Sequence, residues 1–249
     1  KDGSYNIVNG KSVHQNEFGI HKGIFISPKG NAVAFYRMDQ TVVTEYPIID
    51  WSVQPAVNKN IKYPFAGTKN HTVTLGVYNP KTKQTVFLQT EPEKDQYLTS
   101  VTWSPDEKHI YIGVLSRNQK HMKLNQYDAI SGEFVKTLFE EKDDKYVEPQ
   151  HELYFVPGKN NEFVWWSQRD GFMHLYRFDT NGKLINQITK GDWVVTDIAG
   201  QNAKAKELLI VTTKDSPKER HLYAVNWENG KMRKLTKDAG THNPSVSTS

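Results

Sequence analysis

The sequence predicts an all-β protein, a β-propeller built of four-stranded antiparallel blades, with about four to five blades of a larger ring present in the chain. Three observations predict it. Short β-branched and aromatic stretches recur along the whole chain, turn signals separate them, and one pattern returns at a nearly constant interval. The stretches include residues 32–36, 72–78, 110–115, 162–166 and 208–213. Between them fall Ser27-Pro28-Lys29-Gly30, Ser104-Pro105-Asp106 and Asn229-Gly230. No long segment places apolar residues every three or four positions, so strands are expected almost throughout.

The interval is carried by four segments, 75–88, 124–138, 175–188 and 222–235, each reading as strand, Asp or Asn, short turn, strand. Glycine closes the turn in three of them, at Gly132, Gly182 and Gly230, and Lys83 holds the matching place in the first. The steps between these four positions are 49, 50 and 48 residues. Strands repeating at such a period without helices are what a radial array of blades produces. Glycine suits the turn because hairpin geometry asks for a positive φ, which a side chain resists.

A second marker runs half a period out of step. Ile26-Ser27-Pro28-Lys29-Gly30 precedes 32–36, Trp103-Ser104-Pro105-Asp106 precedes 110–115, and Phe155-Val156-Pro157-Gly158 precedes 163–166. Pro105 and Pro157 are 52 residues apart, but Pro28 and Pro105 are 77 apart. The excess falls at about 44–70, a stretch with Pro47, Pro55 and Pro64 and no repeat marker. It is expected to leave the disc as an arm-like insertion; a long surface loop without a role is the plainer alternative. The repeat also predicts a chain cut inside the array, with 1–12 ending one blade and 243–249 opening another.

Composition narrows the chemistry. The 249 residues contain no cysteine, which removes disulfide scaffolds, thiolate metal sites and cysteine nucleophiles. A mean hydropathy of −0.69 and the lack of a long apolar run predict no membrane span. No secretory leader stands at the start, which leaves a cytosolic or a trimmed chain open. The net charge is +4, yet only six of the 32 basic residues are arginine, and lysines alternate with acids. A phosphate-binding surface concentrates charge and favours the guanidinium fork, so a solvated surface is expected and no nucleic-acid partner.

The sequence lacks Gly-x-Ser-x-Gly, His-Glu-x-x-His, a phosphate-cradling Gly-x-x-x-x-Gly-Lys and Gly-x-Gly-x-x-Gly. No catalytic residue, metal ligand set or cofactor is therefore assigned. His151-Glu152 and His14 with Glu17 come nearest to a metal spacing and read better as surface or loop residues. Glu140-Glu141 and Asp143-Asp144 read as solvated charge in a loop. Residues 12–20, Ser-Val-His-Gln-Asn-Glu-Phe-Gly-Ile, are polar, then aromatic, then glycine-terminated. They are expected to form a loop or a single helical turn at a blade edge, where Glu17 is a candidate ligand or an ordinary loop acid.

At these residues the chain resembles the N-terminal β-propeller domain of the dipeptidyl peptidase IV and prolyl tripeptidyl peptidase family, which are prolyl oligopeptidase-like serine peptidases. Tyr63-Pro64-Phe65-Ala66-Gly67-Thr68-Lys69-Asn70-His71-Thr72-Val73 is similar to the family's Tyr-Pro-x-Ala-Gly-x-x-Asn-x-Thr-Val stretch. Phe25-Ile26-Ser27-Pro28, then Phe35-Tyr36, then Glu45-Tyr46-Pro47 follow its aromatic-Ser-Pro strand and later Glu-Tyr. Trp166-Ser167-Gln168-Arg169-Asp170-Gly171 with His174-Leu175-Tyr176, and Ile188-Thr189-Lys190-Gly191-Asp192-Trp193, resemble further family strands.

The resemblance implies an eight-bladed propeller capping a C-terminal α/β-hydrolase domain that holds the catalytic serine, aspartate and histidine. This chain lacks that domain and should be inactive alone. It implies a peptide substrate with a free N-terminus and a proline near it, held by acids on a short projecting segment. Glu17 falls in that segment, with Asn16 and Gln15 beside it as substrate-binding residues. The family's dipeptidyl enzymes carry consecutive glutamates there, whereas Gln15-Asn16-Glu17 offers one acid and looks more like the tripeptidyl subgroup. The resemblance further implies a homodimer formed with the arm at about 44–70, and a periplasmic or secreted location. The rival reading is a non-enzymatic propeller that binds a protein or glycan through rim loops. A Gly-x-Ser-x-Gly, then Asp and His, in the reading frame beyond Ser249 would decide for the peptidase.

Overall fold

The computed structural model describes residues 5–90 and 95–247, and strands make up nearly all regular structure among them. The first part forms β1 (Ile7–Asn9), β2 (Ile24–Ile26), β3 (Val33–Asp39), β4 (Glu45–Asp50), β5 (Val57–Lys62), β6 (Thr72–Asn79) and β7 (Gln84–Phe87). Then come β8 (Gln96–Trp103), β9 (His109–Ser116), β10 (His121–Asp128) and β11 (Phe134–Lys142). A third group is β12 (Tyr154–Phe155), β13 (Glu162–Ser167), β14 (His174–Asp179) and β15 (Leu184–Gln187). The last is β16 (Val195–Asn202), β17 (Glu207–Thr212), β18 (His221–Asn226) and β19 (Met232–Lys234). The last three groups are each one four-stranded antiparallel meander, and the first, apart from β4 and β5, forms a five-stranded antiparallel sheet, giving four consecutive blades of an all-β propeller.

The first blade departs from the others at its first strand. β1 and β2 both pair with β3, Val8 opposite Met38 and Phe25 opposite Ala34, so one strand is split in two by the residues between them. Residues 7–9 therefore belong to this blade and do not end a preceding one, because their backbone partners lie on β3. Residues 243–247 form no strand; Val246 rests on Gly200 of β16, and Thr241 makes a lone parallel bridge to Arg220.

Side chains alternate across each strand, so a blade packed on both faces needs apolar residues at nearly every position. In β9, Ile110, Ile112 and Val114 join the core shared with the first blade, while Tyr111 and Leu115 join the core shared with the third. In β13, Phe163 and Trp165 face the second blade, and Val164 and Trp166 face the fourth. Each such side chain contributes roughly 1.5–3 kcal/mol when fully buried. The runs 110–115 and 163–166 thus encode position between two neighbours.

The repeated turns have a local cause and a distant one. Locally, the side-chain oxygen of Asn79, Asp128, Asp179 or Asn226 accepts backbone N–H groups two to four residues on, at 2.8–3.2 Å, and so folds each turn. The distant cause lies in the previous blade. A Cβ on Gly132 would stand 2.5 Å from the carbonyl oxygen of Phe87, and one on Gly182 would stand 2.0 Å from that of Leu138. The turn glycines answer to close blade packing as well as to their positive φ of 79° and 87°.

Strands β4 and β5 form a hairpin that pairs with no blade. Glu45 opposes Lys62 at its base and Asp50 opposes Val57 near its tip. Tyr46, Ile48, Ile49, Val57 and Trp51 are all exposed, Trp51 to 79%. At the base, Tyr46 packs on Phe65 with ring centres 5.3 Å apart.

Gly182→Ala should destabilise the protein by about 2–5 kcal/mol, combining left-handed strain with overpacking against Leu138. Gly158→Ala, at φ 73° with open space around it, should cost only the strain, about 1–2 kcal/mol. Thermal unfolding of the two variants in the full-length protein checks this; equal losses would show that the blade contact contributes nothing.

Candidate functional site

Tyr36 closes the excursion that separates β1 from β2. Its carbonyl accepts the Gly10 N–H at 2.8 Å and its own N–H donates to the Gly23 carbonyl at 3.0 Å, so one residue of β3 holds both ends. The ends pinch so tightly that a Cβ on Gly23 would sit 2.0 Å from the Lys11 oxygen. Between them the chain makes a compact loop, closed at its base in the manner of an Ω-loop. The Tyr36 ring is buried, and its hydroxyl donates to the Leu98 carbonyl of the second blade at 2.6 Å. Burial, with Glu152 nearby, pushes the phenol pKa far up.

Inside the loop the backbone turns left-handed. His14, Gln15 and Asn16 have φ of 53°, 53° and 63°, Glu17 is extended, and Phe18 returns to 54°. The turn expected here is present, with the opposite hand. The N–H of Glu17 donates to the His14 carbonyl, and that of Ile20 donates to the Glu17 carbonyl, both at 3.0 Å. Left-handed geometry costs roughly 1–2 kcal/mol for each residue with a side chain, least for Asn. Burial offsets it: Val13, His14 and Ile20 are each 5% exposed or less. The loop also presses on the crossing between the second and third blades, where a Cβ on Gly19 would lie 1.9 Å from the Gln150 oxygen.

The consequence is a sorted surface. Gln15, Asn16 and Glu17, the three residues singled out in the sequence, are adjacent and exposed. His14, which reads in the sequence as a surface or loop residue, is buried beneath them because its ring stacks on His71 at 5.0 Å and meets the edge of Tyr97 at 4.9 Å. The His14 N–H donates to Nε2 of His71 at 3.3 Å, and the two rings approach at 3.2 Å between Nδ1 of His14 and the same Nε2. Phe18 also packs on Tyr97, with centres 4.7 Å apart. The Arg117 guanidinium lies 5.0 Å from the Tyr97 ring centre, donates to its hydroxyl, and faces Asp95 at 3.7 Å. Burial, the neighbouring imidazole and Arg117 hold His14 down to about 3; burial and Arg117 hold His71 down to about 4. Both rings are therefore neutral at physiological pH. A cavity of about 180 Å³ opens between this turn and the hairpin base, lined by Gln15, Asn16, His71, Lys62 and Pro64.

His71, Tyr97 and Arg117 are not legible as site residues from composition, but a signal was available. A histidine stands at or just before the start of β6, β10, β14 and β18, one in each blade, at 71, 121, 174 and 221. In the later blades its ring bonds within its own blade: His121 to Glu140, His174 to Thr189, His221 to Thr236, each at 3.0 Å. In the first blade alone of these four, the ring turns to the loop.

One further expectation is corrected. Glu140 and Glu141 lie on β11, not in a loop, and Glu141 is paired with Arg169 at 2.6 Å beside a cavity of about 380 Å³. His151 is half-buried and stacks on Trp166 at 4.5 Å. Among the described residues no group of three or more His, Asp or Glu could hold a metal ion. Among them, too, no helix is long and apolar enough to cross a membrane.

Comparison with known proteins agrees with this architecture. The family model for the dipeptidyl peptidase IV N-terminal region matches residues 1–249. Dipeptidyl-aminopeptidase B of Aspergillus niger is 28% identical over 239 residues, covering 84% of this chain and 26% of that protein. Dipeptidyl peptidase 4 of Trichophyton rubrum is 26% identical over 252 residues, covering 96% of this chain and 32% of its own. A Bacteroides ovatus structure described as a dipeptidyl aminopeptidase IV superposes with a TM-score of 0.87 at 41% identity, over 93% of this chain and 35% of that one. Porphyromonas gingivalis dipeptidyl peptidase 4 gives 0.85 at 28% identity, over 97% and 34%. The chain thus spans about a quarter to a third of the relatives it matches. With a four-blade meander and a match along its whole length, the chain belongs to the dipeptidyl peptidase IV N-terminal region family.

Proposed function

We propose that this chain is the non-catalytic propeller portion of a serine exopeptidase that releases N-terminal di- or tripeptides after proline. In this reading it gates the active site and anchors the α-amine of the substrate through Glu17, with Gln15 and Asn16 offering amide hydrogen bonds beside it. The observation that carries the reading is the strained loop: four residues with side chains are held left-handed, and the turn they make exposes Gln15, Asn16 and Glu17 together. Strain of this kind gathers where a chain must present particular groups. The serine, aspartate and histidine of catalysis come from a C-terminal α/β-hydrolase domain of the same polypeptide. Export to the periplasm or beyond the cell goes with the reading and rests on the family resemblance.

The physics of an amine anchor is simple. A peptide α-amine has a pKa of about 7.7–8.0 and is largely charged at neutral pH. A carboxylate about 4 Å away contributes roughly 1 kcal/mol in water and about 4 kcal/mol at an effective dielectric of 20. Only a free N-terminus gains this, and the anchor sets the distance from that end to the bond that is cut. It is a ruler as well as a hold.

The hairpin of β4 and β5 supports the second part of the proposal, a homodimer. Its apolar side chains are exposed on a two-stranded ribbon that no blade covers, as a surface awaiting a partner subunit would be.

In the full-length enzyme, Glu17→Gln should lower kcat/KM for peptides with free amines by between about fivefold and several hundredfold, the range those two dielectrics set. Activity within twofold of wild type would remove the anchor. Replacing residues 45–62 with a short turn should convert the dimer to a monomer in sedimentation, and an unchanged dimer would remove that role of the hairpin.

A further inference from the structure

We infer that the buried His14–His71 pair, braced by Tyr97 and Arg117, is the latch that holds residues 14–18 in their left-handed turn, and that a proton on Nε2 of His71 opens it. These are positioning residues: they touch the loop, not the substrate. The inference rests on the amine reading only for its effect on binding; the latch itself stands on the geometry.

That geometry assigns the protons. Nε2 of His71 accepts the backbone N–H of His14, so it carries a lone pair and no hydrogen. Nδ1 of His14 lies 3.2 Å from the same atom. A proton on Nε2 would set N–H against N–H where the His71 ring meets the turn. It would also place a cation against a stacked ring and near Arg117. Other charged groups about the pair give no relief. Asp95 already faces Arg117, Lys62 from the hairpin lines the neighbouring cavity with its amine on the Val43 carbonyl and near Glu45, and Glu17 is exposed. Tyr97 presents an aromatic edge. No carboxylate among these meets the imidazoles, so the site favours neutral rings.

The sign of the pH effect follows. Above about pH 6.5 the rings are neutral whether the loop is closed or open, and pH does nothing. Below it an open loop takes up protons that the closed loop refuses until about pH 4 at His71 and about 3 at His14. Closure is therefore fully favoured above 6.5 and weakens as pH falls through the window below it. At pH 5 each ring that becomes accessible favours opening by roughly thirtyfold.

Amide hydrogen exchange in the full-length protein reads this at the N–H groups of Glu17 and Ile20, whose acceptors lie within the loop. After correction for intrinsic rates, their protection should fall tenfold or more between pH 7 and pH 5, while β3 and β6 keep theirs. His71→Gln, which retains an acceptor and does not titrate, should show no such fall. Constant protection in the wild type overturns the latch, and so does His71→Gln with the wild-type slope. The wild-type measurement needs no variant, so it stands even if His71→Gln fails to fold. Inhibition by Ala-Pro and Ala-Ala-Pro, each against its N-acetyl form, separates the two readings. A simple ammonium–carboxylate pair keeps both charges across this window. A preference for the free amine that declines together with protection supports latch and anchor alike. Falling protection with no amine preference at any pH supports the latch and overturns the anchor.

Discussion

Everything on the candidate surface depends on how Tyr36 is bonded. A strand interrupted by a dozen residues should lose its pairing, since closing a loop costs entropy and frees backbone groups at both ends. Here one residue of the central strand satisfies both, accepting from Gly10 and donating to Gly23. Its phenol then crosses to the Leu98 carbonyl, so the base of the loop is pinned to two blades at once. Only a base this rigid lets the tip sit in a conformation that a free peptide would leave. The strain at residues 14–18 is borne by the blade interface.

That interface is regular because backbone meets backbone. At Gly132, Gly182 and Gly230 a Cβ would lie only 2.0–2.8 Å from a carbonyl oxygen of the preceding blade. A gap opened there would part the cores in which Trp165 and Trp166 face opposite neighbours. The Asp or Asn that folds each turn and the glycine that lets it approach are separate requirements met within four or five residues. This coincidence is why the repeat is so visible in the sequence.

What was legible and what was not divides along the same line. The blade period could be read because the Asp or Asn turn falls at the same place in all four copies and the closely packed glycine at the same place in three. The split first strand could not, since β1 and β2 are three residues each, too short for a period to show, and Ile24-Phe25-Ile26 is apolar throughout although only Phe25 is buried. Their pairing is set by β3 from a distance. The hand of the loop was also hidden: His14, Gln15 and Asn16 carry no glycine to announce positive φ, and tertiary contacts impose it. Glu17 with Asn16 and Gln15 could be picked out as polar residues ahead of an aromatic. The ring beneath them could not, because His71 lies 57 residues from His14 in the chain.

The repeat also explains why both excursions lie in one blade. In the second, third and fourth blades the turn between the second and third strands carries no strand of its own: in the fourth, Asp215 closes on Tyr223 at 2.6 Å, and in the third, Arg169 reaches back to Glu141 of the second blade. In the first blade that turn is replaced by the β4–β5 hairpin, and the first strand is opened to make the loop. The two meet: Lys62 and Pro64 from the hairpin side line the same cavity as Gln15 and Asn16, and His71, nine residues beyond Lys62, carries the ring that His14 rests on. Three ordinary blades supply stiffness, and one altered blade carries both the loop and the hairpin. The hairpin base and the His71 ring are thus joined by a short stretch of chain, 63–71, as well as by the cavity they share.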